Sequence, residues 1–134
     1  AIEKVLSRND TGETGGHQAG ILIPKKTEIL SFFPKLSNNE KNPRCFIVFH
    51  DHFGEKWSFS FIYYNNKLFG GTRNEYRMTG MTGYINAYNI KSGDTLTLHK
   101  DKYGFYSVKY RKDVVNKKGD ITLKMSNSWK IVKI

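Results

Sequence analysis

A single cysteine, a shortage of acidic residues and the lack of any long apolar run set the first limits on this chain. One thiol permits neither an internal disulfide nor a thiolate metal cage, so a reducing, intracellular and hence cytoplasmic setting is expected. Cys45 stands between Arg44 and the apolar Phe46-Ile47-Val48-Phe49, the place of a small core or near-core residue. No apolar run approaches the roughly 20 residues of a membrane span, so no membrane partner is expected. Nor does the start carry a signal-peptide pattern. The chain opens with Ala rather than Met, which reads as a processed form or a piece of something larger. Against 12 Asp and Glu stand 22 Lys and Arg, a formal net charge of +10. Such a surface attracts polyanions: nucleic acid, acidic membranes or acidic proteins.

Catalytic motifs are missing as well. A two-carboxylate-plus-lysine nuclease site would show an acidic residue two before a lysine on one strand face, and no Asp-x-Lys or Glu-x-Lys occurs. The nearest variant is Glu75-Tyr76-Arg77, where arginine stays charged and cannot serve as a base. His50-Asp51-His52 resembles a metal pair but has no third and fourth ligand at a supportive spacing, so a solvated strand end is expected. His99 beside Lys100 is not a histidine-x-lysine pair. No Gly-x-Ser-x-Gly elbow is present, and the glycines around Gly15 are not followed by Lys-Ser/Thr. The reading therefore assigns no catalytic residue, metal or cofactor.

What is present suits one β-rich domain over residues 1–134. Hydrophobic residues make up 38% and aromatics 14%, enough for a folded core. No repeat or linker divides the chain. Strands are expected at 2–6, 21–24, 44–50 and 56–64, the last alternating with Trp57, Phe59 and Phe61 on one face. Thr27 to Phe33 suggests a short helix capped by Thr27 and ended by Pro34. Asn65-Asn66 reads as a tight turn, followed by a short return strand. A second helix is expected around Tyr84 to Tyr88. Residues 94–100 and 105–110 pair as a hairpin across 101–104, and 121–125 and 129–134 supply the last strands. Seven or so short strands with two short helices suggest a closed or half-open β-barrel.

Two polar arms interrupt this frame. The first, Ser7-Arg8-Asn9-Asp10-Thr11-Gly12-Glu13-Thr14-Gly15-Gly16-His17-Gln18, mixes donors and acceptors with glycines that let backbone approach a ligand. It equally fits a connection stabilised by Asx-type turns, and Asp10 is its most structural member, since phosphates repel a carboxylate. The second arm is Thr72-Arg73-Asn74-Glu75-Tyr76-Arg77. If extended, it projects Arg73, Glu75 and Arg77 one way and Asn74 and Tyr76 the other. Arginine can donate twice to guanine and a carboxylate can accept from the cytosine amino group. The same residues can also simply pair with each other on a surface. Lysines elsewhere, among them Lys25 and Lys26, supply the positive charge for phosphate.

The residues just quoted resemble a known family. Leu6-Ser7-x-Asn9-Asp10-Thr11-Gly12-x-Thr14-Gly15-Gly16-His17-Gln18-x-Gly20 with Ile23-Pro24, Ile62-Tyr63-Tyr64-Asn65, and Phe69-Gly70-x-Thr72-Arg73-Asn74-Glu75-x-Arg77 are similar to the amino-terminal effector DNA-binding domain of EcoRII-type restriction endonucleases. A second, weaker similarity joins Asn89-Ile90-Lys91-Ser92-Gly93-Asp94-Thr95-Leu96-Thr97-Leu98 to the helix-to-strand corner of plant B-three-type domains. The resemblance implies a mainly β fold, a seven-stranded open barrel (DNA-binding pseudobarrel) with two short α-helices. It also implies an N-arm at 7–18 and a C-arm at 72–77 gripping the major groove of double-stranded DNA. The residues expected at DNA are Arg8, Asn9, Asp10, Thr14, His17, Gln18, Lys25, Thr72, Arg73, Asn74, Glu75, Tyr76 and Arg77. The chain departs from the pattern at Tyr76 and near Gly71, where a family member carries basic residues. A sequence-specific, non-catalytic recognition domain linked to a nuclease domain in its parent is the reading. Its rivals are a transcription-factor-like regulator of the same fold, a single-strand binder stacking bases on Tyr84, Tyr88 or Tyr103, and an unrecognised metal nuclease.

Overall fold

A computed structural model describes residues 1–13, 20–37, 39–113 and 128–132. The expected N-arm residues Thr14, His17 and Gln18 and the expected strand at 121–125 lie outside them. In chain order the elements are β1 (Ile2–Val5), α1 (Arg8–Thr11), β2 (Gly20–Ile23), α2 (Thr27–Leu30), β3 (Arg44–Asp51) and β4 (Lys56–Tyr64). A 3-10 turn (Asn66–Phe69), β5 (Glu75–Thr79), α3 (Thr82–Ala87), β6 (Thr95–Lys100), β7 (Tyr106–Arg111) and β8 (Lys130–Ile131) follow. The fold is mainly β, as expected: an open sheet curled into a half-barrel, in the order β2-β5-β4-β3-β7-β6-β1-β8. It has eight described strands rather than seven. Neighbours are antiparallel except β3 and β7, which run parallel from Phe49↔Tyr106 to Asp51↔Val108. Among the described residues, no helix is long and apolar enough to cross a membrane.

Period-two patterning drives the sheet. In β3, Ile47 and Phe49 are buried while Phe46 and Val48 face outward. In β4, Phe59 and Phe61 enter the core, but Ser60 and Ile62 on the other face are buried too. This strand lies between β3 and β5 in the sheet. Tyr84 and Ile85 of α3 plug the curled sheet, with Tyr84 edge-on to Trp57 and Phe59. Trp129, just before β8, reaches across the open side of the half-barrel: its indole Nε1 donates to the Leu22 carbonyl of β2 at 3.1 Å. That bond ties together the two ends of the strand order.

Several local expectations are corrected. Lys26, in extended backbone, is the N-cap of α2 and offers no side-chain cap, while Thr27 is already helical. α2 stops at Leu30, short of Phe33. Asn65-Asn66 is no two-residue turn. Asn65 is buried, accepts from the Asn42 amide at 2.6 Å and donates to the Glu40 carbonyl at 2.9 Å. The 3-10 turn then takes the place of the expected return strand, and pairing with β4 resumes at Tyr64↔Glu75.

Asp51 is likewise no solvated strand end but a buried hub. Its Oδ1 accepts from the amides of Phe53 and Glu55 (2.8 and 2.9 Å), and its Oδ2 from Trp57 Nε1 (2.8 Å) and the Tyr88 hydroxyl (2.5 Å). Burial pushes its pKa up, yet the donors, Tyr88 first, overcome that and hold it at about 2. A carboxylate accepting this many bonds strongly favours its ionised form. Among the described residues, no group of three or more His, Cys, Asp or Glu could hold a metal ion.

Candidate nucleic-acid interface

The C-arm (72–77) covers the end of the connection between β4 and β5 and the start of β5. Its alternation is realised: Arg73 Nη2 and Arg77 Nε both donate to Glu75 Oε2, at 2.6 and 3.0 Å. The hydrogen bond from Arg73, opposed by burial and reinforced by Arg77, holds the Glu75 carboxyl below its usual range. Among the described residues, Oε1 takes no bond. The Arg73 guanidinium also lies 3.9 Å from the centroid of the Tyr64 ring. A delocalised cation over an aromatic face is held flat and loses little entropy when it later forms directed bonds.

The other side of this arm is structural. The Tyr63 hydroxyl donates to Asn74 Oδ1 at 2.8 Å. Tyr76 stacks on Tyr63 (4.3 Å, 8° between planes) and on Phe61 (5.6 Å, 15°). Phe33 extends the column against Phe61. Lys25, expected at DNA phosphate, has its ammonium 5.9 Å from the centroid of the Tyr63 ring. Thr72, Arg73 and Asn74 are exposed, while Glu75, Tyr76 and Arg77 are half-buried.

In place of an irregular loop, the N-arm begins with a helical turn. The Ser7 hydroxyl caps α1 by accepting from the Asp10 amide (3.2 Å), and Asp10 Oδ2 in turn accepts from the Ser7 amide (2.8 Å). Such a capping box satisfies two orphan amides. Asp10 is buried and also pairs with Lys4, so this carboxylate faces inward. Arg8 and Asn9 face outward. Gly12, at φ 84°, ends the turn in a left-handed conformation that suits glycine. Glu13 then ties the arm to the body, accepting from the Thr11 hydroxyl (2.7 Å) and from the Ser92 amide (2.7 Å). With the Thr11 bond the largest cause, its pKa lies below the ordinary value. Beside it, Leu6 exchanges backbone bonds with Gly93 and Asp94. The corner at 89–94, singled out by its sequence pattern, is thus the mount for the N-arm.

Both arms open on one cleft of about 390 Å³, lined by Ser7, Asn9 and Asp10 from the first and Arg77 from the second. Lys26, rather than Lys25, lines it. Leu22 and Trp129 also line it and were missed in the sequence. Alternation between the buried Ile21 and Ile23 marks Leu22 as outward-facing, whereas nothing local marks Trp129. Of the three tyrosines named as stacking platforms, Tyr84 is fully buried, Tyr88 is bonded to Asp51, and Tyr103 is 83% exposed.

A half-barrel with two hydrogen-bonding arms at one cleft defines the class, and a solved structure shares its fold. A chain of the "Arabidopsis FUS3-DNA complex" superposes with a TM-score of 0.62 and 24% identity, over 82% of this chain and 94% of that one. The family follows from sequence. Residues 2–119 match the family described as restriction endonuclease EcoRII, N-terminal, and the chain belongs to it. It is 40% identical over 98 residues to the type II restriction enzyme EcoRII of Escherichia coli. That alignment covers 71% of this chain and 24% of the enzyme, so the chain spans about a quarter of that relative's length.

Proposed function

We propose that this chain is a sequence-specific double-stranded DNA-recognition domain, the effector or target-recognition part of a restriction endonuclease. Its residues act as one domain that does not cleave by itself; the catalytic domain belongs to the parent protein. The N-arm (7–18) and C-arm (72–77) enter the major groove. The observation that carries this reading is the Arg73–Glu75–Arg77 cluster, in which two guanidinium groups share one carboxylate oxygen and, among the described residues, leave the other open. Opposite charges held side by side offer two kinds of base contact at once: arginine to guanine N7 and O6, glutamate to the cytosine amino group. Arg8 and Asn9 provide a second set of donors, with His17 and Gln18 further along the arm. Lys26 and the diffuse +10 charge hold phosphate without reading sequence. Membership in the EcoRII N-terminal family, and a shared fold with a chain solved in a DNA complex, support this reading.

Selection of bound duplexes from a random pool, at fixed and stated salt, tests the proposal. An enriched motif containing G·C pairs is the expected result. A pool that returns no motif would overturn it.

A further inference from the structure

We infer that Leu22 is a specificity-determining residue of this surface, receiving the 5-methyl group of a pyrimidine next to the base pair addressed by Arg77. The inference rests on the DNA-reading function proposed above and adds an apolar contact to it. In β2 the burial alternates sharply: Ile21 is 0% exposed, Leu22 45% and Ile23 1%. Leu22 is the cross-strand partner of Arg77 in the β2–β5 register. Directly paired residues project to the same side of a sheet with Cβ atoms roughly 5 Å apart. Leu22 therefore stands on the face that carries Arg73, Glu75 and Arg77.

A lone exposed leucine needs no explanation on an ordinary surface. This one is set among hydrogen-bonding groups, lining the inter-arm cleft with Ser7, Asn9, Lys26 and Arg77. Its backbone is also held from both sides, by the ladder to β5 and by the Trp129 indole on its carbonyl. A rigidly mounted branched side chain beside an arginine has one natural counterpart in the major groove. Each base edge there presents donors and acceptors, and the C5-methyl of thymine is the only apolar group. Cytosine offers the same chemistry once methylated at C5. Burying one methyl against leucine is worth about fourfold in affinity.

The test uses the duplex that the wild-type chain enriches from a random pool. Each thymine is replaced in turn by deoxyuridine, which deletes the methyl alone, and each cytosine by 5-methylcytosine, which adds it. Binding is measured at fixed salt for wild type, Leu22→Ala and Leu22→Thr, with thermal melting as the check on folding. At one position the methyl should strengthen wild-type binding about fourfold, and that gain should vanish in Leu22→Ala. A gain from thymine identifies the unmodified base as the source, and a gain from 5-methylcytosine identifies the modified one. No methyl-dependent position, or an equal methyl effect in wild type and both variants, overturns the inference. If wild type still enriches a motif and Arg77→Ala loses it, the DNA-reading function survives that failure. If no motif is enriched, both fall together.

Discussion

Glu75 concentrates the chemistry of the C-arm in one carboxylate. Two arginines fix its Oε2, so the side chain is oriented before any ligand arrives. Replacing Glu75 with Ala should cost tenfold or more on the enriched duplex, in line with the roughly 1–3 kcal/mol of a good base contact, and much less on random duplex. Competition between the two duplexes measures the ratio, and equal losses on both would contradict the assignment. Asp51 shows the opposite use of a carboxylate. Its folded pKa of about 2 lies below the value of about 4 expected in the unfolded chain. The unfolded chain therefore binds the proton first on acidification. The stabilisation, about 2 kcal/mol, is complete above pH 4 and fades between about pH 4 and 2. In Asp51→Asn, acid titrations of stability should lose that segment of the curve, and the variant should melt lower at pH 7. An unchanged acid limb would remove Asp51 from this role. The side of the strand that Glu75 takes could be read from spacing alone. The burial of Asp51 could not, because its donors Trp57 and Tyr88 come from β4 and from the end of α3.

At the scale of elements, the N-arm depends on its mount. α1 is only one turn long, too short to persist without capping and tertiary support. The Ser7–Asp10 box closes its start, and Glu13 bolts its end to the 89–94 corner. Glu13→Ala should therefore weaken binding to the enriched duplex several-fold while lowering global stability by only about 1 kcal/mol, the usual net worth of a hydrogen bond. Parallel anisotropy titrations and thermal melts separate the two effects. Unchanged affinity would show that the arm does not need this tie. Gly93, on the same corner, has φ 93°, and an added Cβ would lie 2.9 Å from Asp113 Oδ2. Gly93→Ala should destabilise the fold by about 1 kcal/mol, chiefly through the left-handed backbone, since the Asp113 carboxylate tip can shift aside, and a thermal or denaturant melt measures the loss. Hydrophobic periodicity made most strands legible, since alternation depends only on neighbours along the chain. It failed at α1 and at the 3-10 turn. Short helical turns there are chosen by caps and by the buried Asn65, whose partners Glu40 and Asn42 lie far back in the sequence.

For the whole molecule, charge and topology do separate jobs. The net +10 acts at long range and without regard to sequence. Lys26 is placed at the cleft, so Lys26→Ala should weaken enriched and random duplexes alike and lower the salt slope by about one unit. Binding isotherms at several salt concentrations give that slope, and an unaltered slope would take Lys26 out of the phosphate footprint. Composition, alternation and the two long polar strings sufficed for a mainly β half-barrel with two arms, because those features are written in local order. The shared cleft is another matter. Its walls come from β1, α1 with its cap Ser7, β2, β5 and Trp129, segments that meet only when the curled sheet brings Leu22 and Trp129 together across its open side. Local pattern specifies which way a side chain faces, while long-range strand pairing chooses its neighbours, and it is the neighbours that turn polar strings and one exposed leucine into a surface.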